Sequence, residues 1–149
     1  DGTMVLVELS ADLSAPAGDP LTLFHASAAG WSTGSSHDNI PVKSYVTDGC
    51  FLYRTKTGKL LMIWSSFMNG EYAIGIAESV TGKIHGPWVQ QEKPLFTQNG
   101  GHGMIFRTFE GRLCMTFHRP NSPRGQERAR IFELQDTGDT LQLLQELTL

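Results

Sequence analysis

The feature that most constrains this chain is a repeat of about 53 residues built from strand-forming sequence. Ser44–Phe67 reads SYVTDGCFLYRTKTGKLLMIWSSF, a turn carrying Asp48, then a strand, a Lys56-Thr57-Gly58 turn and a second strand. An echo begins at His102, running HGMIFRTFEGRLCMTFH. Arg54-Thr55 falls on Arg107-Thr108, Gly58-Lys59-Leu60 on Gly111-Arg112-Leu113, and Trp64 on Phe117, with one single-residue gap placed before the strands. A strand-rich period of this size is the signature of a β-propeller.

Each repeat accommodates four antiparallel strands, the composition of one blade. The first spans Phe51–Thr55, Leu60–Ser65, Tyr72–Ser79 and Trp88–Phe96; the second spans Met104–Phe109, Leu113–His118, Ala129–Leu134 and Leu141–Glu146. Glycine and proline recur nearly every ten residues and no 3.6-residue period persists, which excludes a helical fold. Leu141–Leu149 alone also fits a short helix, and the repeat favours a strand there. Upstream, Met4–Leu9 and Leu21–His25 read as the outer half of another blade, and Ala26–Lys43 is a long Gly/Ser-rich loop holding Trp31, His37 and Asp38. The expected fold is therefore all-β, about two and a half four-stranded antiparallel blades of a propeller: residues 1–27 close a preceding blade, 44–96 form one blade and 101–146 another, all in a single domain.

The 149 residues carry 12 basic and 15 acidic side chains, a formal charge of −3, with no run of either sign. Nucleic acid, which demands a basic stripe, is not an expected partner. No apolar stretch reaches membrane-spanning length, and the first residues do not read as a signal segment. The chain begins abruptly within a strand pair, as a piece of a longer protein would. Two cysteines, Cys50 and Cys114, make no disulfide framework, and Cys114 reads as a buried thiol.

In a propeller the first strand of every blade lines the central channel, and the loops entering those strands crowd one mouth. Asp48-Gly49 and His102-Gly103 stand at matching places before the first strands, so both titratable side chains are expected at that mouth. A turn-capping role explains one acidic residue; it does not explain a histidine one blade later.

Taken in order, Val46-Thr47-Asp48-Gly49-Cys50-Phe51, Gly58 to Ser65, Ser79 to Trp88 with its Gly86-Pro87-Trp88 ending, and Gly101-His102-Gly103-Met104 followed by Phe117-His118 resemble glycoside hydrolase family 43. The resemblance extends from Asp1 to about Leu144. It implies a five-bladed propeller, of which this is the C-terminal portion, acting on arabinose- or xylose-containing glycosides by an inverting acid/base mechanism. Asp48 would stand where the family has its general acid, protonating the leaving oxygen while a carboxylate across the sugar activates water. Such an acid must hold its proton near neutral pH. Asp is one methylene shorter than the family's Glu, Cys50 replaces its usual Pro, and the base and the tuning Asp belong to blades not in this chain.

The same resemblance places His102 near a metal ion or water cluster in the channel, with a calcium held largely through waters; no cofactor is required for the reaction. Trp31, Cys50, His102 and His118 become candidate sugar-binding residues, although Trp31 fits core or loop packing equally and His118, ending a strand, reads first as a packed, hydrogen-bonded residue. His25, His37 and His85 receive no role, and the arginines near Asn121–Glu127 fit a solvated face. The expected partners are an oligosaccharide or polysaccharide and either the rest of the propeller or a second copy of the chain. Members of the family are often secreted or periplasmic. The alternative is a carbohydrate-binding propeller that retains the pocket without the chemistry.

Overall fold

The computed structural model describes residues 1–34 and 43–148; His37 and Asp38 lie outside the described residues. Three antiparallel sheets follow one another along the chain. The first pairs β1 (Thr3–Leu6) with β2 (Leu21–His25), and a 3-10 turn at Ala26–Ala28 follows. The second runs in sequence order through β3 (Asp48–Arg54), β4 (Leu60–Met68), β5 (Glu71–Ser79) and β6 (Trp88–Gln90). The third repeats that meander with β7 (Gly101–Arg107), β8 (Leu113–Arg119), β9 (Arg128–Asp136) and β10 (Leu141–Leu147). These are two whole propeller blades and two strands of a third. The C-terminal segment is a strand, as the repeat favoured over its helix-compatible pattern.

The middle blade explains why β4 and β5 read as nearly continuous apolar runs. Side chains alternate across a strand, and both faces of this sheet are covered. Leu61, Ile63, Ile74 and Ile76 point to one side, into a core shared with Ile105, Leu113, Met115, Phe117 and Phe132 of the third sheet. Leu60, Met62, Trp64, Ala73 and Ala77 point to the other, against Met4, Phe24 and Trp31. Sheet-on-sheet burial of this kind is the main favourable term holding blades together.

The outer strand of the middle blade is shorter than its sequence suggests. Ladder pairing runs from Trp88 to Gln90, lapses through Glu92–Pro94, and resumes as a single bridge between Phe96 and Ile74. Pro94 has no N–H to give the ladder, and an edge strand is where such a break is tolerated. No helix among the described residues is long and apolar enough to cross a membrane.

Candidate active site

The strands β3 and β7 are the edge strands of their sheets and lie beside each other. Each carries an irregularity at the same place: the register of β3 on β4 shifts between Asp48 and Phe51, and that of β7 on β8 between Gly101 and Met104. Asp48 sits opposite Ser65 and Gly101 opposite His118; Gly49 (φ 51°) and His102 (φ 57°) follow, both left-handed. A bulge with a left-handed residue bends the strand and re-aims side chains. The two blades therefore align with a constant offset and no gap, which corrects the repeat alignment by one position. His102 is the equivalent of Gly49, and Asp48 of Gly101.

The two side chains still meet, because the bulges abut. A Cβ placed on Gly49 would lie 2.6 Å from the His102 Cα, so only glycine lets the strands approach this closely. His102 Nε2 lies 2.9 Å from Asp48 Oδ1, to which the Gly49 N–H also donates at 3.0 Å. The Tyr72 hydroxyl, from β5, donates to Asp48 Oδ2 at 3.0 Å and lies 3.3 Å from His102 Nδ1. The buried Ser65 hydroxyl accepts the His102 backbone N–H at 3.0 Å. Three donors thus converge on one carboxylate, and both nitrogens of one imidazole have a polar neighbour. A neutral ring donates from only one nitrogen; donation from both requires the imidazolium.

Tyr72 and Ser65 are absent from the set of site residues expected from sequence. Tyr72 is hidden inside a strand whose pattern already accounts for a buried aromatic. Ser65 had a detectable signal: it stands in its blade where His118 stands in the next. Burial raises the Tyr72 phenol well above its usual range, the Asp48 charge and hydrogen bond add to the rise, and Ser65 opposes it weakly. Tyr72 is consequently a donor at any physiological pH.

The other expected residues divide. His118, on β8, stacks against Tyr72 with centroids 5.8 Å apart and lies 5.4 Å from the His102 ring; its Nε2 is 2.9 Å from Asn121 Oδ1. Cys50 is an exposed, free thiol in the β3 bulge, and Cys114 is buried. Trp31 is corrected. It is only 4% exposed, its ring packs on Trp64 at 4.8 Å, and it occupies the space a side chain at Gly75 would need, so it has no free face for a sugar. The aromatic signal in that loop is core.

No group of three or more His, Cys, Asp or Glu among the described residues is arranged to hold a metal by direct ligation; a calcium held largely through waters takes few ligands from the protein.

The Asp48 and His102 side chains remain 45% and 48% exposed. A surface contact this open contributes about 0–1 kcal/mol even when both groups are charged, while a non-glycine residue held left-handed costs on the order of 1–2 kcal/mol. Stability alone does not account for the arrangement.

A scan of family models and a search of curated proteins give no match. Among solved structures, the chain is similar to the endo-arabinase from Bacteroides thetaiotaomicron, with a TM-score of 0.81 and 41% identity over 89% of this chain and 46% of that one. It is similar in fold to a thermostable family-43 glycoside hydrolase (TM-score 0.73, 22% identity, 96% of this chain and 47% of that one). An endo-1,4-β-xylanase from Bacteroides thetaiotaomicron gives a TM-score of 0.72 and 19% identity over 96% of this chain and 50% of that one. The chain spans about half the length of each. The fold is a partial five-bladed β-propeller, and its neighbours in structure are glycoside hydrolases.

Proposed function

We propose that this chain is the C-terminal half of the propeller of a family-43-type glycoside hydrolase, cleaving arabinose- or xylose-containing glycosides with inversion. The observation that carries this reading is the meeting of Asp48 and His102 from adjacent blades at a solvent-open mouth, in a chain 41% identical to an endo-arabinase over their common part. Asp48 is the general acid. To act it must first take up a proton, and His102 Nε2 at 2.9 Å is the donor best placed to deliver one. A carboxylate on another blade activates water on the far face of the sugar, at the separation of roughly 6.5–9.5 Å that inversion needs. No cofactor enters this scheme. His118 and the exposed Cys50 flank the acid and contact sugar. The remaining blades, or a second copy of the chain, complete the channel and supply the base.

The occupied Asp48 oxygens favour a second reading, a sugar-binding propeller without turnover, since every acceptor on that carboxylate already has a donor. Assay of the full-length protein on arabinan, xylan and aryl arabinofuranosides and xylosides separates the two. The hydrolase reading expects Asp48→Asn to lose turnover by about 10²–10⁴-fold with sugar binding retained. Sugar binding without turnover in the wild type establishes the binding module instead.

A further inference from the structure

We infer that Tyr72 is the positioning residue of this site: its hydroxyl bridges Asp48 and His102 and fixes where both present their polar atoms. The inference rests on the hydrolase reading for its effect on turnover, but its geometry is independent of it. Tyr72 belongs to β5, the third strand of the middle blade, whereas Asp48 and His102 come from the leading strands of two different blades. It is therefore the group that registers one leading strand against the other from a third element.

Its ring has no freedom to move. Phe67 packs on it at 5.1 Å, and the His102 and His118 rings stack on it at 5.9 and 5.8 Å. Only the absence of a side chain at Gly101 makes room for it, since a Cβ there would lie 2.2 Å from Tyr72 Cε1. The hydroxyl emerges from this clamp against Asp48 Oδ2 (3.0 Å) and His102 Nδ1 (3.3 Å). A rigid ring carrying one hydroxyl that touches both members of a half-exposed pair restricts them in a way that solvent does not. Without that hydroxyl Asp48 keeps the Gly49 N–H and His102 contacts, both on Oδ1, and Oδ2 loses its anchor.

Tyr72→Phe in the full-length protein keeps the ring and removes the bridge. The expected result is a kcat lower by roughly 10- to 100-fold with KM within about twofold, at an unchanged fold by circular dichroism. An unchanged kcat overturns the inference, as does a rise in KM alone. The second readout needs no activity: side-chain NMR of the Asp48 carboxyl carbon and the His102 ring nitrogens, in wild type and Tyr72→Phe. Shifts at both residues are expected, and no shift at either overturns the inference even in a protein that proves to bind sugar without cleaving it. Absent wild-type turnover removes the hydrolase reading alone, leaving NMR to decide on Tyr72. If Tyr72→Phe does not fold, difluorotyrosine at position 72, which keeps the hydroxyl but makes the phenol more acidic, replaces it in the NMR measurement alone: shifts at both Asp48 and His102 are expected, and no shift at either overturns the inference.

Discussion

At the scale of single residues, the site depends on a glycine with no room to be anything else. Gly49 is left-handed, and its missing Cβ is what allows the His102 backbone within reach. Gly49→Ala meets backbone, which cannot swing aside as a side chain can. We expect a loss of about 2 kcal/mol or more in urea unfolding, together with separation of Asp48 from His102; a variant as stable as wild type would contradict the geometry. Asp48 and His102 were legible in the sequence because two titratable residues recurred at the entry to repeated strands. Their true equivalence was not: matching the two titratable residues required a gap, whereas both strands carry the same bulge and align without one. Trp31 stayed open between sugar and core in the sequence, because an aromatic residue in a glycine-rich loop looks the same whether it faces sugar or another tryptophan.

Among elements, the blades are joined at their turns as well as through their cores. Asp136, at the end of β9, accepts the Lys56 and Gly138 backbone N–H groups (2.7 and 2.8 Å) and the Tyr53 hydroxyl (3.0 Å), tying the β3–β4 turn to the next blade. Desolvation pushes its carboxyl up, but hydrogen bonds from Gly138, Lys56 and Tyr53 prevail and hold it below the ordinary value of 3.8. A depressed folded value means that the charged form stabilises the fold above the unfolded value, and that this contribution disappears as pH falls through the folded one. Asp136→Asn should therefore destabilise by about 1–3 kcal/mol at pH 7, with the gap from wild type closing as pH falls below the ordinary carboxylate value of 3.8; a gap unchanged in acid would count against the latch. The sheet faces make a paired prediction. Gly75→Ala drives a Cβ to 2.2 Å from the fixed Trp31 ring, whereas at Gly103 the closest atom is the mobile end of Met115. Chemical denaturation should show Gly75→Ala losing about 1–3 kcal/mol and Gly103→Ala distinctly less; equal losses would refute the packing described. The strands themselves were readable from alternation and turn residues, while the early end of β6 followed from Pro94.

For the whole molecule, two and a half blades leave sheet faces without neighbours. Met104 and Leu144 on the third sheet are 54% and 55% exposed, and Val5 and Leu21 on the first 49% and 43%. Stacked repeats depend on adjoining units for burial, so the isolated chain is expected to associate at micromolar concentration; light scattering that reports a monomer would show that these faces need no cover. The repeat made the blade architecture readable from sequence. The most direct test of Asp48 as the general acid is the leaving-group dependence of Asp48→Asn in the full-length protein. A proton donor matters when the departing oxygen is a poor leaving group and hardly at all when it is a dinitrophenolate. Turnover of arabino-oligosaccharides is expected to fall by about 10²–10⁴-fold while that of a dinitrophenyl arabinofuranoside stays within about tenfold of wild type. Equal loss on both substrates, or no loss on either, would contradict that role.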